Sequence, residues 1–315
     1  MSELDRRHLL CVHDLSRDDA ERILDTARGL ERSLDRELKK LPTLRGRLVV
    51  NLFYESSTRT LSSFELAAKR LSADTMVLRA SGSSVDKGES LRDTALTLAA
   101  YDPDVIVIRH PHIGAPQLVA GTTAAHVVNA GDGKHQHPTQ ALLDLHTIRE
   151  ALGRLDGVSV AIVGDVLHSR VARSLVEALV LVGADAVLVA PPTLVPRGIE
   201  ALGCSVSHSI DAIADVDVVY VLRMQAERME AAYVPSLREY TALYGVTPAR
   251  VRPGQVVMHP GPMNRGVEID PRVADSDASL VTTQVRSGLV VRMAVLYDLL
   301  TAPTPAVATA VLEVA

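Results

Sequence analysis

Short runs of β-branched residues alternate with amphipathic helical patterns along this chain, and no other feature of the sequence limits its fold as strongly. The first four runs are predicted to be strands, at 47–53, 75–79, 104–109 and 126–130. Between the first two, Leu61, Phe64 and Ala68 fall on one face of a predicted helix, while Glu65 and Lys69 lie mostly away from it. Strands that alternate with helices in this way form a parallel sheet covered by helices on both faces. The chain is therefore predicted to be an α/β protein.

The same pattern restarts in the second half of the chain. A helix predicted over 138–152 ends at Gly153, and five further strands are predicted at 158–163, 186–190, 204–208, 217–222 and 255–259. A chain of 315 residues, 47% of them hydrophobic, exceeds the usual size of one domain. We therefore predict two doubly wound parallel-sheet domains.

We place the domains at residues 1–150 and 151–282, with the last helix, about 283–301, packed back on the first domain. In open α/β sheets, ligands bind at the carboxyl ends of the strands. The cleft between the two domains is therefore the expected site.

Charge and cysteine content exclude several classes of function. The net charge is −5, and the basic residues are interspersed with acidic ones, so the sequence offers no footprint for nucleic acid. Cys11 and Cys204 stand far apart, which fits a reducing compartment and no disulfide framework. The charged N-terminus has no apolar core of a signal peptide, and the longest apolar stretch, 175–195, is interrupted by charges and prolines. We expect a cytoplasmic protein that binds small molecules and no membrane.

A segment rich in hydroxyl side chains, 53–60, leaves a predicted strand and opens a helix. The first N–H groups of a helix, with about half a unit of positive charge, favour an anion. Ser57, Thr58, Arg59 and Thr60 would add neutral and charged donors to such a site. The alternative is that Ser57 merely caps the helix. Spacing alone leaves both interpretations open.

Two pairs of histidines and one glycine suggest other chemistries. His110 with His112, and His135 with His137, have the spacing of metal-ligand pairs, which would indicate a metal-dependent hydrolase. Gly164 follows a predicted strand, but the glycine spacing of a dinucleotide-binding loop is missing. A metal hydrolase stays an alternative, and a nicotinamide cofactor is disfavoured.

Five short motifs together carry a resemblance that each alone would not. They follow one another along nearly the whole chain as Ser57-Thr58-Arg59-Thr60, Lys87-Gly88-Glu89, Arg109-His110-Pro111, His137-Pro138-Thr139-Gln140 and His259-Pro260-Gly261-Pro262. In these motifs and in their order, the chain resembles the aspartate and ornithine carbamoyltransferase family.

The resemblance implies an enzyme that moves the carbamoyl group of carbamoyl phosphate to an amine, without metal or cofactor. It also implies a homotrimer in which the loop with Ser83 and Lys87 reaches into the active site of the neighbouring subunit. The site would then lie both in the interdomain cleft and at the subunit interface. Larger assemblies with regulatory chains or other pathway enzymes stay open.

The resemblance also assigns residues to carbamoyl phosphate: Ser57, Thr58, Arg59, Thr60, Ser83, Lys87, Arg109, His137, Gln140, Pro260 and Gly261. Arg59, Lys87 and Arg109 would balance the roughly two negative charges of the phosphate through charged hydrogen bonds. Gln140 and the backbone carbonyls of Pro260 and Gly261 would hold the carbamoyl NH2 group.

Negative charge develops on the carbonyl oxygen during attack by the amine, and fixed donors must stabilise it. The resemblance gives this role to Thr60, Arg109 and His137, which with Arg59 and Lys87 form the predicted catalytic set. A histidine beside arginines should have a lowered pKa, so His137 is expected to act as a neutral imidazole that donates one N–H.

The acceptor amine is predicted to be L-aspartate. Its two carboxylates call for the planar cations that arginine supplies, and Arg170, Arg223 and Gln225, with Lys87, match the aspartate-binding residues of the family. An ornithine enzyme would need acidic groups and usually has the motif His-Cys-Leu-Pro, where this chain has Pro260 and Gly261 after its histidine. The product would be N-carbamoyl-L-aspartate, an early step of pyrimidine biosynthesis. Another amine such as ornithine, or a non-catalytic carbamoyl-phosphate-binding protein, are the alternatives.

Overall fold

Two five-stranded parallel sheets form the framework of the protein. The computed structural model describes residues 8–37, 39–79, 88–225 and 233–301. The predicted fold class, an α/β protein with two parallel sheets, is confirmed.

The first sheet has the strand order β1-β5-β4-β2-β3, in which all neighbours are parallel. Its strands are β1 His8–Leu9, β2 Leu48–Phe53, β3 Asp74–Arg79, β4 Val105–His110 and β5 His126–Asp132. The sequence predicts β2 to β5 to within two residues at each end. It misses β1, because two residues are too few to show a period.

The second sheet has the order β10-β9-β6-β7-β8 and is also parallel throughout. Its strands are β6 Ser159–Val163, β7 Asp185–Val189, β8 Ser205–Ser207, β9 Val218–Val221 and β10 Val256–Met258. Each is equal to or shorter than its predicted run, because the hydrogen-bonded ladder ends before the apolar pattern does.

Helices cover both sheets. They are α1 Arg17–Leu34, α2 Thr58–Arg70, α3 Leu91–Ala99, α4 Ala115–Ala120, α5 Pro138–Leu152, α6 Arg170–Leu181, α7 Leu237–Tyr244, α8 Pro271–Ala274 and α9 Val281–Thr301. The last of them, α9, packs against α1, α2 and α5. Within the described ranges, no helix combines the length and the apolar character that a bilayer crossing requires.

The helix α5 contributes side chains to the cores of both sheets. Leu142 and Leu143 belong to the apolar cluster around β2 and β4, whereas Leu145 and Ile148 belong to the cluster around β6 and β9. Its first eleven residues are buried without exception. A division at residues 150 and 151 stays a prediction, and α5 is the element that ties the two sheets together.

Candidate active site

A cavity of about 780 Å³ opens between the two sheets, where the carboxyl ends of strands from both sheets meet. Its lining includes each predicted site residue that the structure describes: Ser57, Thr58, Arg59, Thr60, Arg109, His137, Gln140, Arg170, Arg223, Gln225, Pro260 and Gly261. Ser83 and Lys87 lie outside the described residues. Residues from four of the five motifs, together with Arg170, Arg223 and Gln225, thus surround one space, and their individual roles stay predictions.

The N-terminus of α2 presents uncapped donors to this cavity. Ser57 occupies the N-cap position, but its side chain accepts no hydrogen bond from the described part of the helix. The side chains of Ser16, Ser90, Ser169 and Ser236, by contrast, all cap their helices. The first N–H groups of α2 are therefore left for another acceptor, which favours the anion site over simple capping.

His137 stands at the start of α5 with its ring in a buried position. Its backbone N–H donates to the Ser174 hydroxyl at 2.8 Å, and its side chain makes no capping bond. Burial first, and then the positive charges of Arg109, Arg292 and Arg170, lower the pKa of His137 well below its usual value. The predicted direction of the shift is thus found, although burial precedes the arginines as its cause. The ring is a neutral imidazole.

This neutral state gives a testable expectation for the folded protein. In protein labelled with ¹⁵N-histidine, the ring nitrogen shifts of His137 should remain those of neutral imidazole from pH 8 to pH 6, roughly the range in which free histidine titrates. The His137→Ala variant assigns the resonance. Because the unfolded chain takes up a proton that the native ring refuses, this group should make the protein less stable as pH falls below about 6.5. A His137 signal that titrates above pH 6 would contradict the expectation.

A single carboxylate, that of Glu55, holds two predicted site arginines. Arg170 Nη2 donates to it at 2.6 Å, and Arg109 Nε lies 3.4 Å from the same oxygen. Arg170 also donates to the Gly133 carbonyl at 2.9 Å. Glu55 follows β2 and Arg170 opens α6, so this ion pair joins the two halves of the chain across the cavity. Glu55 lies in the segment 53–60, two residues before the first motif, yet only the fold shows its partners.

Gly131 makes the close approach of the two arginines possible. Its φ of +120° lies in the region that favours glycine. A Cβ atom at this position would lie 2.9 Å from Arg170 Nε and 3.2 Å from Arg109 Nη1. Any side chain there would displace the guanidinium groups.

Arg223 and Gln225 reach the cavity from the carboxyl end of β9. The backbone N–H of Gln225 donates to Asp165 at 3.2 Å, and the other oxygen of Asp165 contacts His168 Nδ1 at 2.8 Å. Asp165 and His168 are buried. The turn after β6 thus fixes the chain that follows β9, and with it the segment that carries both predicted aspartate-binding residues.

The loop after β10 is held by its own histidine. His259 Nδ1 accepts from the Gly261 N–H at 2.8 Å, so its Nε2 carries the proton and faces Glu268 at 3.2 Å. Burial lowers the pKa of His259, against the opposing effect of Glu268. Gly261 has a φ of +61°, and a Cβ atom there would lie 2.8 Å from Arg59 Cζ. Glycine at this position therefore lets Arg59 pack directly on the loop backbone.

Arg292 is a cavity residue that sequence reasoning does not find. It projects from α9, is 4% exposed, and its Cζ lies 5.1 Å from the centre of the Phe64 ring. Burial lowers the pKa of Arg292 to about 10, so it stays positively charged at neutral pH. From the helical pattern alone, Arg292 would be assigned to the protein surface. Its position in the cavity lining follows only from the packing of α9 against the first domain.

The two histidine pairs do not form ligand clusters. His110 Nδ1 accepts from the His112 backbone N–H at 3.0 Å, and the His135 ring contacts the Asp132 carboxylate at 3.0 Å. In the ranges that the structure describes, the group with metal-ligand spacing is a different one, made of Cys11, His13 and Asp14. Burial raises the pKa of the Cys11 thiol to about 12, which disfavours the thiolate that a metal would need.

Comparison with known proteins covers both halves of the chain. Residues 7–150 match the family model described as the carbamoyl-P binding domain of aspartate/ornithine carbamoyltransferase, and residues 156–299 match that of its Asp/Orn binding domain. The chain belongs to this family. The predicted family membership is therefore confirmed.

Individual members of the carbamoyltransferase family are similar over nearly their whole length. The aspartate carbamoyltransferase catalytic subunit of Acidothermus cellulolyticus is 60% identical over 306 residues, which cover 96% of this chain and 95% of that protein. The structure of aspartate transcarbamoylase from Trypanosoma cruzi in complex with N-(phosphonacetyl)-L-aspartic acid is 33% identical. It has a TM-score of 0.86 and covers 95% and 97% of the two chains. The catalytic subunit from M. jannaschii is 38% identical with a TM-score of 0.82, over 93% and 97%.

Proposed function

We propose that this chain transfers the carbamoyl group of carbamoyl phosphate to the amino group of L-aspartate, giving N-carbamoyl-L-aspartate and phosphate. The observation that carries the proposal is one cavity in which the uncapped start of α2 lies with Arg59 and Arg109, while Arg170 and Arg223 also line it. The first group suits a phosphate and the second suits a dicarboxylate. The relatives bear out the predicted activity, because they are aspartate carbamoyltransferases.

The phosphate is bound first by the cradle at α2, in which backbone N–H groups and hydroxyls of Ser57 and Thr58 supply neutral donors. Arg59 and Arg109 supply charge. The resemblance adds Ser83 and Lys87 from a neighbouring subunit. Charged donors to a phosphate are short and strong, so they also fix the orientation of the carbamoyl group.

The carbonyl oxygen then faces donors that need no rearrangement as charge develops. Thr60 and Arg109 donate together with the neutral ring of His137. Because the ring is neutral, it can offer an N–H without adding a positive charge to those of the three arginines around it. Gln140 and the carbonyls of Pro260 and Gly261 accept from the NH2 group.

Aspartate is held by Arg170, Arg223 and Gln225, with Lys87 as a further cation. Its amino nitrogen attacks the carbamoyl carbon, forming the C–N bond, and the bond from that carbon to the phosphate oxygen breaks. The departing phosphate accepts the proton of the amine. Most of the rate then comes from positioning and from fixed donors.

Product formation with two acceptors supplied in parallel tests this proposal. Purified, chelator-treated protein receives carbamoyl phosphate with equal concentrations of L-aspartate or L-ornithine. We expect product from aspartate alone. Product from ornithine would overturn the assignment of Arg170 and Arg223, and no product with either amine would favour a non-catalytic carbamoyl-phosphate-binding protein.

We also propose that the protein is a cytoplasmic homotrimer with shared active sites. Support comes from the family resemblance of the loop with Ser83 and Lys87, and from two buried cysteines, Cys11 and Cys204, that form no disulfide.

Hybrid trimers provide the test of site sharing. Lys87→Ala trimers and Arg59→Ala trimers should each be nearly inactive. Subunit exchange between equal amounts should restore about a quarter of the wild-type activity, because random assortment pairs an intact Arg59 with an intact neighbouring Lys87 in that share of the sites. Each variant carried alone through the same exchange serves as the control. If verified exchange restores nothing, the sites are not shared.

A further inference from the structure

The proposed chemistry gives no role to one fully buried carboxylate next to the cavity, that of Asp144 on α5. It accepts from Gln140 Nε2 at 3.2 and 3.3 Å, from Gln284 Nε2 at 2.8 Å and from the Tyr220 hydroxyl at 2.8 Å. These donors come from α5, α9 and β9, so one side chain joins a strand of the second sheet to the two helices. The side chain of Asp144 is completely inaccessible to solvent.

The hydrogen bond from Gln140 to Asp144 determines which end of the Gln140 amide faces the cavity. A glutamine amide has one donor end, the NH2 group, and one acceptor end, the carbonyl oxygen. Because the NH2 group donates to Asp144, the carbonyl oxygen of Gln140 is the end left for the cavity, which Gln140 lines. An acceptor is what the NH2 group of carbamoyl phosphate requires.

The second bond acts on the loop after β10 through Gln284. The NH2 group of Gln284 donates to Asp144, so its carbonyl oxygen is available as an acceptor, and it accepts from the His259 backbone N–H at 2.9 Å. His259 begins the turn that places the carbonyl groups of Pro260 and Gly261. Asp144 therefore orients both sets of acceptors that would face the carbamoyl NH2 group, through its hydrogen bonds to Gln140 and Gln284.

The ionised, acceptor-only form of Asp144 that this arrangement uses depends on the groups around the carboxylate, because burial alone disfavours it. Burial raises the pKa of Asp144 to about 7, while the bonds from Gln284, Tyr220 and Gln140 and the positive charge of Arg292 act in the opposite direction. Such a buried group is costly unless all its partners are present. Because burying this carboxylate costs free energy of folding, its presence fits a role in the site better than a role in stability.

We propose that Asp144 is a positioning residue that makes this site selective for a phosphorylated substrate that carries an NH2 group on its carbonyl carbon. It acts through Gln140 and Gln284, whose polarity it fixes, and it does not touch the substrate itself. The proposal rests on the proposed function, and it predicts how the enzyme distinguishes carbamoyl phosphate from acetyl phosphate, which carries a methyl group in place of the NH2 group.

The Asp144→Leu variant tests this selectivity. Leucine has nearly the shape of aspartate but no acceptor, so neither Gln140 nor Gln284 keeps its bond and both amides are free to turn. Asparagine would be a weaker test, because its NH2 group could donate to the Tyr220 hydroxyl and leave both glutamine bonds in place. The KM for carbamoyl phosphate should rise by about 10- to 100-fold, because the buried acceptors no longer meet its N–H groups. The inhibition constant of acetyl phosphate, which depends on the phosphate cradle, should change by less than about threefold. The ratio of the two constants is the readout.

The matched control is Tyr220→Phe, which removes a donor from the same carboxylate but leaves both amides paired. It should lower the melting temperature and keep the ratio. Should Asp144→Leu fail to fold, Gln284→Met removes only the link from Asp144 to the loop after β10, and it should shift the ratio in the same direction by a smaller factor.

If Asp144→Leu or Gln284→Met folds and keeps the wild-type ratio, the proposal is overturned. An equal loss for both donors would also overturn it, because that is the result of a general packing defect. A wild-type enzyme that transfers no carbamoyl group would instead overturn the proposed function, and this inference with it.

Discussion

Replacing His137 by alanine is expected to lower the turnover number by about 10²- to 10³-fold, the effect of losing one donor that stabilises a developing oxyanion. The ring is buried and neutral beside three arginines, so it can donate an N–H whose strength the surrounding low dielectric increases. The loss should appear in the chemical step, measured as product released at saturating concentrations of both substrates. The KM for carbamoyl phosphate should change far less.

The matched control for this experiment is His135→Ala, at the histidine two residues before the motif that His137 begins. The His135 ring contacts Asp132 and does not line the cavity. Its turnover number should stay within about threefold of the wild-type value, as expected for a partly exposed pair. If His137→Ala kept the wild-type turnover number, the role proposed for His137 would be wrong.

Replacing Glu55 by glutamine is expected to raise the KM for L-aspartate by about 100-fold, because it removes a negative charge that two guanidinium groups share. Arg170 is 5% exposed, and its bond to Glu55 is 2.6 Å long. Without the carboxylate, the buried Arg170 and the half-buried Arg109 repel each other across the Gly131 backbone. Initial rates at fixed, saturating carbamoyl phosphate measure the effect.

Glu65→Gln is the control for charge removal at this end of the chain. Glu65 lies on α2 and pairs with Lys69 in a partly exposed i,i+4 arrangement. Such a pair contributes about 0.3 to 0.5 kcal/mol, so the KM should not change measurably. An unchanged KM in Glu55→Gln as well would show that Arg170 keeps its place without Glu55.

Sequence reasoning found the fold and the composition of the cavity for a physical reason. Parallel strands in a covered sheet are continuous apolar runs, and the polar motifs stand where those runs stop. Arg109 lies at the end of β4, and Arg59 and Arg223 follow β2 and β9, so the topology of the sheets brings the three arginines to one place.

Partners across long sequence distances could not be predicted. Glu55 meets Arg170 over 115 positions, and Asp144 meets Gln284 over 140. A single sequence carries no sign of such pairs, because each member alone resembles an ordinary surface residue. The proposed subunit interface could not be predicted in detail for a related reason: a single chain would hold only half of each contact, and Ser83 and Lys87 lie outside the described residues.

The helix α9 has a consequence for the order in which this protein can fold during synthesis. The helix α9 contributes Val290, Met293 and Leu296 to the same apolar core as Val49 and Val105 of the first sheet. They leave the ribosome only after the entire second sheet has done so. The first half of the nascent chain must therefore expose part of its apolar interior until α9 has been synthesised, which is the condition under which chaperones bind.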